Sequence, residues 1–284
     1  MVEARREGLV SNVGMGLTIT KYAPAAALQT VVDHYWAGIW TDADNVQNQK
    51  IFPSSYLEVV LPLGPPVKSA KKNNKQEAEL MMGEVGFWTI PHALPRTQSK
   101  EWFGICFNPE ALPGVFGVSA SDVLNSAAPC QKELDASFST FRQRLSQVKS
   151  STERVRLTDT YLKSFIQAAS PTAESNYVQT AARLIRLQKC HVSVEGLSQN
   201  LCIGMRQLER AFKKDLGLSP KTYMRLSRLS SVLQLIAQNP NLPLAQLSYL
   251  GGYSDQAHFN REFKRMTGVV PTKYLAHPQE FLTF

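Results

Sequence analysis

The chain has 284 residues, 43% of them apolar and 19% charged, with a formal net charge of +8. That composition excludes a disordered or collagen-like chain and leaves enough apolar mass for two domains of about 100–200 residues each. No apolar run approaches the ~20 residues of a membrane-crossing helix, and the N-terminal MVEARREGLV lacks a signal-peptide stretch, so a cytoplasmic location without a membrane partner is expected.

The first half reads as strands. Leu17–Tyr22, Val31–Trp40, Tyr56–Leu63, Leu80–Thr89 and Glu101–Asn108 are short β-branched or aromatic runs set between Pro, Gly, Asn and Asp clusters. The polar stretch Lys68–Glu79 reads as a long exposed hairpin loop rather than a nucleic-acid arm. From about Cys130 the apolar period becomes helical. Phe138, Phe141, Leu145 and Val148, then Val155, Thr158, Leu162 and Phe165, predict two helices broken near Ser150–Thr152. Ala168–Asn176 (AASPTAESN) is small, polar and aperiodic, as a linker is. The expected class is α+β in two domains. Residues 1–169 form a β-rich half with a helical extension, 170–176 a linker, and 177–284 an all-helical domain. A protease is expected to cut near Ser170–Ser175 and release two folded pieces.

Charge divides along the same line. Met1–Asn176 carries 17 Lys and Arg against 17 Asp and Glu, whereas Tyr177–Phe284 carries 14 against 6, the whole surplus of eight. A one-sign field confined to one domain points to a polyanionic partner.

Within that basic half a pattern occurs twice. Val178, Ala181, Ala182 and Ile185 make one face of a first helix; then come a short helix at Val194–Leu201, a break at Cys202–Gly204 and a helix at Met205–Asp215. Short helix, tight break and second helix is helix-turn-helix spacing. Leu208 and Phe212 face inward, leaving Arg206, Glu209, Arg210 and Lys213 on the outer face. The second copy runs through Leu244–Gly251, a break at Gly252–Ser254 and Asp255–Thr267, with Ser254 as the expected N-cap. Phe259 and Phe263 face inward there, and Gln256, Asn260, Arg261 and Lys264 outward. Between the copies, Ser219–Gln238 opens with Ser-Pro and carries an apolar stripe of Leu226, Leu229, Leu233 and Ile236. Twenty helical residues span ~30 Å, close to the ~34 Å between successive major-groove faces on one side of DNA.

Phe212–Tyr223 (FKKDLGLSPKTY) and Gly252–Tyr274 (GYSDQAHFNREFKRMTGVVPTKY) resemble the DNA-binding domain of AraC/XylS-family transcription regulators, and the resemblance covers about Asn176–Ala276. It implies a seven-helix domain with both units in adjacent major grooves of double-stranded DNA. The family's base-reading positions fall on Arg206, Glu209 and Arg210 in the first unit and on Gln256, Ala257, Asn260 and Arg261 in the second. Lys213 and Lys264 are the expected phosphate contacts. Cys202 departs from the family by standing where Gly is common, and Ala257 by standing where Ser often occurs. Tyr22–Trp40, Phe52–Gly64 and Gly104–Val123 resemble a poorly characterised β-rich domain of some AraC-type regulators, which implies a cupin-like sensor and dimerisation domain. RNA polymerase, a second copy of the chain and a small-molecule effector are the further partners this suggests.

Enzyme chemistry has little to build on. The five histidines (34, 92, 191, 258 and 277) form no HxH or HExxH, there is no GxSxG or phosphate loop, and no cofactor or metal is expected. Four scattered cysteines suit neither a zinc site nor an adaptive-repair enzyme, the alternative reading beside an architectural DNA binder without effector. Cys106 and Cys130 read as buried structure before oxidant sensors. Tyr35, Trp36, Trp40, Trp88 and Trp102 are the candidates for an apolar effector pocket, against the plainer reading that they are core.

Overall fold

A computed structural model describes residues 9–13, 17–40, 50–63, 84–93, 101–112, 119–125, 128–129, 136–166, 173–188 and 192–282. The Lys68–Glu79 loop, Cys130 and the start of the expected linker lie outside them.

In chain order the strands are β1 (Leu9–Val13), β2 (Leu17–Tyr22), β3 (Val32–Trp40), β4 (Lys50–Ile51), β5 (Leu57–Pro62), β6 (Glu84–Phe87), β7 (His92–Ala93), β8 (Glu101–Phe107), β9 (Ala128–Pro129) and β10 (Phe281–Leu282). Seven make one sheet in the order β1-β2-β3-β8-β5-β6-β9, and β10-β4-β7 form a small second sheet. The central strands β3, β8 and β5 are antiparallel neighbours and buried on both faces, so they read as nearly continuous apolar runs.

On one face Tyr35, Val59, Phe103 and Ile105 join the main core beneath α1 (Ala136–Gln147) and α2 (Ser151–Ile166). Asp159 of α2 fixes that packing by accepting hydrogen bonds from the Tyr35 hydroxyl at 2.8 Å and the Ala25 amide at 3.1 Å. The opposite face holds a separate cluster of Ile19, Trp36, Trp40, Ile51, Val60, Trp102 and Cys106. The indole of Trp36 lies flat on the β8 backbone; a Cβ on Gly104 would stand 1.9 Å from its Nε1.

The rest of the chain is helical: α3 (Ala173–Gln188), α4 (Val194–Asn200), α5 (Met205–Leu216), α6 (Pro220–Gln238), α7 (Leu244–Leu250), α8 (Gln256–Thr267) and α9 (Pro271–Ala276). Because α3 begins at Ala173, residues 173–176 belong to a helix and not to the linker expected from sequence. Their lack of apolar period hid this; Ala and Glu favour helix without announcing it by periodicity.

The two halves share a core. Glu110, in a short 3-10 turn after β8, is buried against Arg186 of α3, and Tyr223 of α6 donates to it at 3.4 Å. Arg186 in turn donates to the Tyr223 hydroxyl at 2.7 Å. Burial pushes the Glu110 carboxyl and the Tyr223 phenol upward. Burial also opposes the charge of Arg186, but the neighbouring Tyr223 and Glu110 outweigh it and hold the guanidinium charged. Phe52 packs on Phe263, Tyr274 and Phe281 at ring separations of 6.0, 5.3 and 4.9 Å. Next to that cluster β10 pairs in parallel with β4.

Candidate nucleic-acid interface

Each helix-turn-helix unit is assembled by its caps and its turn. In the first, Ser193 caps α4 by accepting from the Gly196 amide at 3.0 Å, and Ser198 turns its hydroxyl back onto the Glu195 carbonyl. The chain then reverses at Cys202, whose φ of 52° lies in the left-handed region, and the Ile203 amide closes onto the Ser198 carbonyl at 3.0 Å. The second unit repeats this: Ser248 bonds back to Ala245, Gly252 takes φ 69°, and the Tyr253 amide closes onto Ser248 at 3.0 Å. A side chain at φ near +50° is strained where glycine is not. The second helices end alike, on the left-handed glycines Gly217 and Gly268.

The cap of α8 is Asp255 and not Ser254; its carboxylate accepts from the His258 amide at 2.7 Å. That bond holds the exposed Asp255 carboxyl below its usual range. Ser254 instead bonds Asp255 and the His258 ring. Sequence alone does not separate two adjacent capping residues, because either suits the position.

Burial sorts the faces. Leu208, Phe212 and Leu216 anchor α5, and Phe259, Phe263 and Met266 anchor α8. Arg206, Glu209, Arg210 and Lys213 are exposed together on α5, and Gln256, Ala257, Arg261 and Lys264 together on α8. Asn260 is only half-exposed, with a buried Oδ1 that lacks a hydrogen-bond partner. The Lys213 ammonium donates to the Gly217 carbonyl at 2.7 Å, so it also caps the negative end of α5.

A buried carboxylate that sequence patterning does not single out ties the second unit to the connecting helix. Glu262, on the inner side of α8, meets Arg225 of α6 at 3.1 Å, Arg228 of α6 at 3.7 Å, His258 at 3.5 Å and, closer still, Arg265. Arg228 also stacks over Tyr253 at 5.2 Å. One signal for it exists in the sequence. Glu262 stands three residues after Phe259 and beside Phe263, so the helical period puts an acid on the inward face of an otherwise basic helix.

The five aromatic pocket candidates do not meet. Trp36, Trp40 and Trp102 share one sheet face, Tyr35 is on the other, and Trp88 stacks on His92 at 4.2 Å beyond the end of β6. Strand alternation separates the neighbours Tyr35 and Trp36. Of the two cysteines described, Cys106 is buried and Cys202 exposed. Among the described residues, no cluster of three His, Cys, Asp or Glu is placed to hold a metal, and no helix is long and apolar enough to cross a membrane.

A helix-turn-helix domain family matches residues 197–277, and a domain of unknown function (DUF6597) matches residues 20–129. The chain is similar to the "Probable transcriptional regulator LumQ" of Photobacterium leiognathi, 35% identical over 99 residues, which are 35% of this chain and 37% of that protein. It is similar also to the arabinose operon regulatory protein of Escherichia coli, 27% identical over 107 residues, 37% of this chain and 36% of that one. The match thus spans little more than a third of each relative's length. A crystal structure of ToxT from Vibrio cholerae with bound unsaturated fatty acid aligns over 97% of both chains at 12% identity and a TM-score of 0.45. The comparisons thus bear out the resemblance of the helical half to the AraC/XylS family of transcription regulators, through a helix-turn-helix domain at residues 197–277.

Proposed function

We propose that the protein is a sequence-specific, double-stranded-DNA-binding transcription regulator whose strand-rich half binds a small effector. One observation carries the DNA-binding reading: two matching units expose Arg206, Arg210, Arg261 and Lys264 on second helices whose other faces are fully packed. In this reading Arg206, Glu209 and Arg210 read one major-groove face, and Gln256, Ala257, Asn260 and Arg261 the next. Lys213 and Lys264 contact phosphate. The division into a cupin-like strand half, residues 1–169, and a helical half, residues 177–284, belongs to the same proposal. So do self-association through the strand half and contact with RNA polymerase. Selection of bound duplexes from a random pool with the intact chain tests it. The expected product is a site of two short elements about one helical turn apart. Enrichment of no sequence, or of a single short element, contradicts it.

A further inference from the structure

The second face of the main sheet holds a buried carboxyl, Glu58, that becomes an unanswered negative charge as it ionises. His34, Cys106 and Glu58 stand directly opposite one another on β3, β8 and β5. Glu58 is 3% exposed and His34 9%. One oxygen of Glu58 accepts from Ser54 at 3.1 Å; the other, Oε2, is buried with no hydrogen-bond partner. His34 bonds Asp33 through Nδ1 at 2.8 Å, and its Nε2 is likewise buried without a partner. Burial keeps the imidazole neutral. For Asp33 burial is the largest influence and opposes ionisation, but the bond from His34 together with the charges of His34, Arg186 and Lys21 outweighs it and holds the carboxylate ionised. Nδ1 therefore carries the proton, and Nε2 presents a bare lone pair. With Glu58 ionised, both orphan atoms are acceptors. The groups facing Glu58 are Lys21 from β2, Asp33 and His34 from β3, Cys106 from β8 and Tyr56 just before β5; the register sets Glu84 of β6 opposite Val60. Cys106 and Tyr56 are held neutral by burial; Arg186 of α3 also acts on Asp33 and Tyr56 but is paired with Glu110, so once Glu58 ionises it and Asp33 outnumber Lys21 by one. A buried carboxylate is normally paired. Beside it stand Trp36, Trp40 and Trp102, whose ring faces attract cations.

We propose that this face binds a small organic cation, a primary amine or amidinium on an apolar body, with its N–H groups donating to Glu58 and His34 and its body against the tryptophans. The inference rests on the reading of the strand half as a sensor and names the chemistry of its effector. The half-exposed Tyr56 makes edge contact with the His34 ring at 5.6 Å. Glu58, poised near 7, makes affinity for a cation rise with pH: about tenfold between about pH 6 and about pH 8, as the carboxylate ionises.

The test uses the full chain with benzylamine and benzamidine as probes, and benzyl alcohol and benzoate as neutral and anionic counterparts. Calorimetry and tryptophan fluorescence read binding; circular dichroism and melting read the fold. The cationic probes are expected to bind saturably and quench tryptophan, with that pH dependence, while the counterparts do not. Glu58→Gln should keep a cooperative melt, lose binding at least about tenfold and lose the pH dependence. The proposal is overturned if neither cation binds, if benzyl alcohol or benzoate binds as well, or if folded Glu58→Gln binds unchanged. His34→Ala gives an independent check, since unchanged affinity there removes the two-acceptor site. Selected-duplex affinity with and without benzamidine separates the two readings. Glu58-dependent binding that leaves DNA affinity unchanged upholds the site and sinks its effector role. Loss of sequence selectivity by the ligand-free chain sinks the regulator reading alone.

Discussion

Arg210 and Arg261 occupy equivalent places in the two units, each five residues beyond the first residue of its helix. Arg210→Ala or Arg261→Ala should weaken specific binding by about 1–3 kcal/mol and relax base preference locally, because a bidentate guanidinium is lost from one step. Duplex selection with each variant reads this; unchanged motifs for both would sink the assignment. Cys202 is a different case, since its φ of 52° strains a side chain where Gly252 is relaxed. Cys202→Gly should raise stability by about 0.5–1 kcal/mol, the relief of left-handed strain exceeding the added freedom of the unfolded chain. Urea unfolding at fixed pH checks the sign. Glu58 supplies a pH dependence. Between 4.5 and about 7 the folded chain keeps a proton that the unfolded chain has released. Stability therefore falls as pH rises through that window, by about 3 kcal/mol in full, and is restored below it. Wild type minus Glu58→Gln, unfolded in urea at about pH 5 and about pH 8, should show that difference; equal slopes in the two proteins refute it.

Elements were legible where a period or a cap spans several residues. Leu17–Tyr22 matches β2 residue for residue, and the two helix-turn-helix units fall within a residue or two of their expected bounds. β4, β7, β9 and β10 were not legible, since two residues show no alternation and exist only as partners of other strands. β1 was missed because Leu9–Val13 has polar Ser and Asn at its centre and takes its pairing from β2. The Glu262 cluster was hidden for another reason. The period of α8 can turn Glu262 inward, but no spacing rule announces that arginines on α6 will converge on it. The connecting helix is the element whose integrity both units need. Leu229 is fully buried near its middle, so Leu229→Pro removes a backbone hydrogen bond and misplaces the Arg225–Arg228 grip on Glu262, at about 3 kcal/mol or more. Footprinting should show the full site reduced to one unit's protection. Full protection by a folded variant would refute the role of α6 as a spacer.

At the scale of the whole molecule, sequence suggested two modules on a flexible tether, and the packing changes what that implies. The strand half touches both reading units. Ser119 donates to the Lys214 and Asp215 carbonyls at 3.0 and 2.8 Å, capping the C-terminal end of α5. Ser121 and Leu124 press on Gly217 just beyond it, and Phe52 reaches α8 through Phe263. A change in the strand half thus has a direct mechanical route to both second helices, with no need of a long-range pathway. It also means that the helical half loses partners when cut away: Arg186 and Tyr223 lose Glu110, and Phe263, Tyr274 and Phe281 lose Phe52. Exposed aromatics of that size destabilise a small domain. Limited proteolysis between residues 167 and 172 is therefore expected to nick the chain and leave its halves associated through gel filtration. Residues 173–284 expressed alone should fold with a lower Tm than the intact chain, and Phe52→Ala in the intact chain should move its Tm in the same direction, by burial worth about 3–5 kcal/mol. Halves that separate on nicking, together with a fragment as stable as the whole, would show that the shared core contributes nothing to holding the two reading units in place.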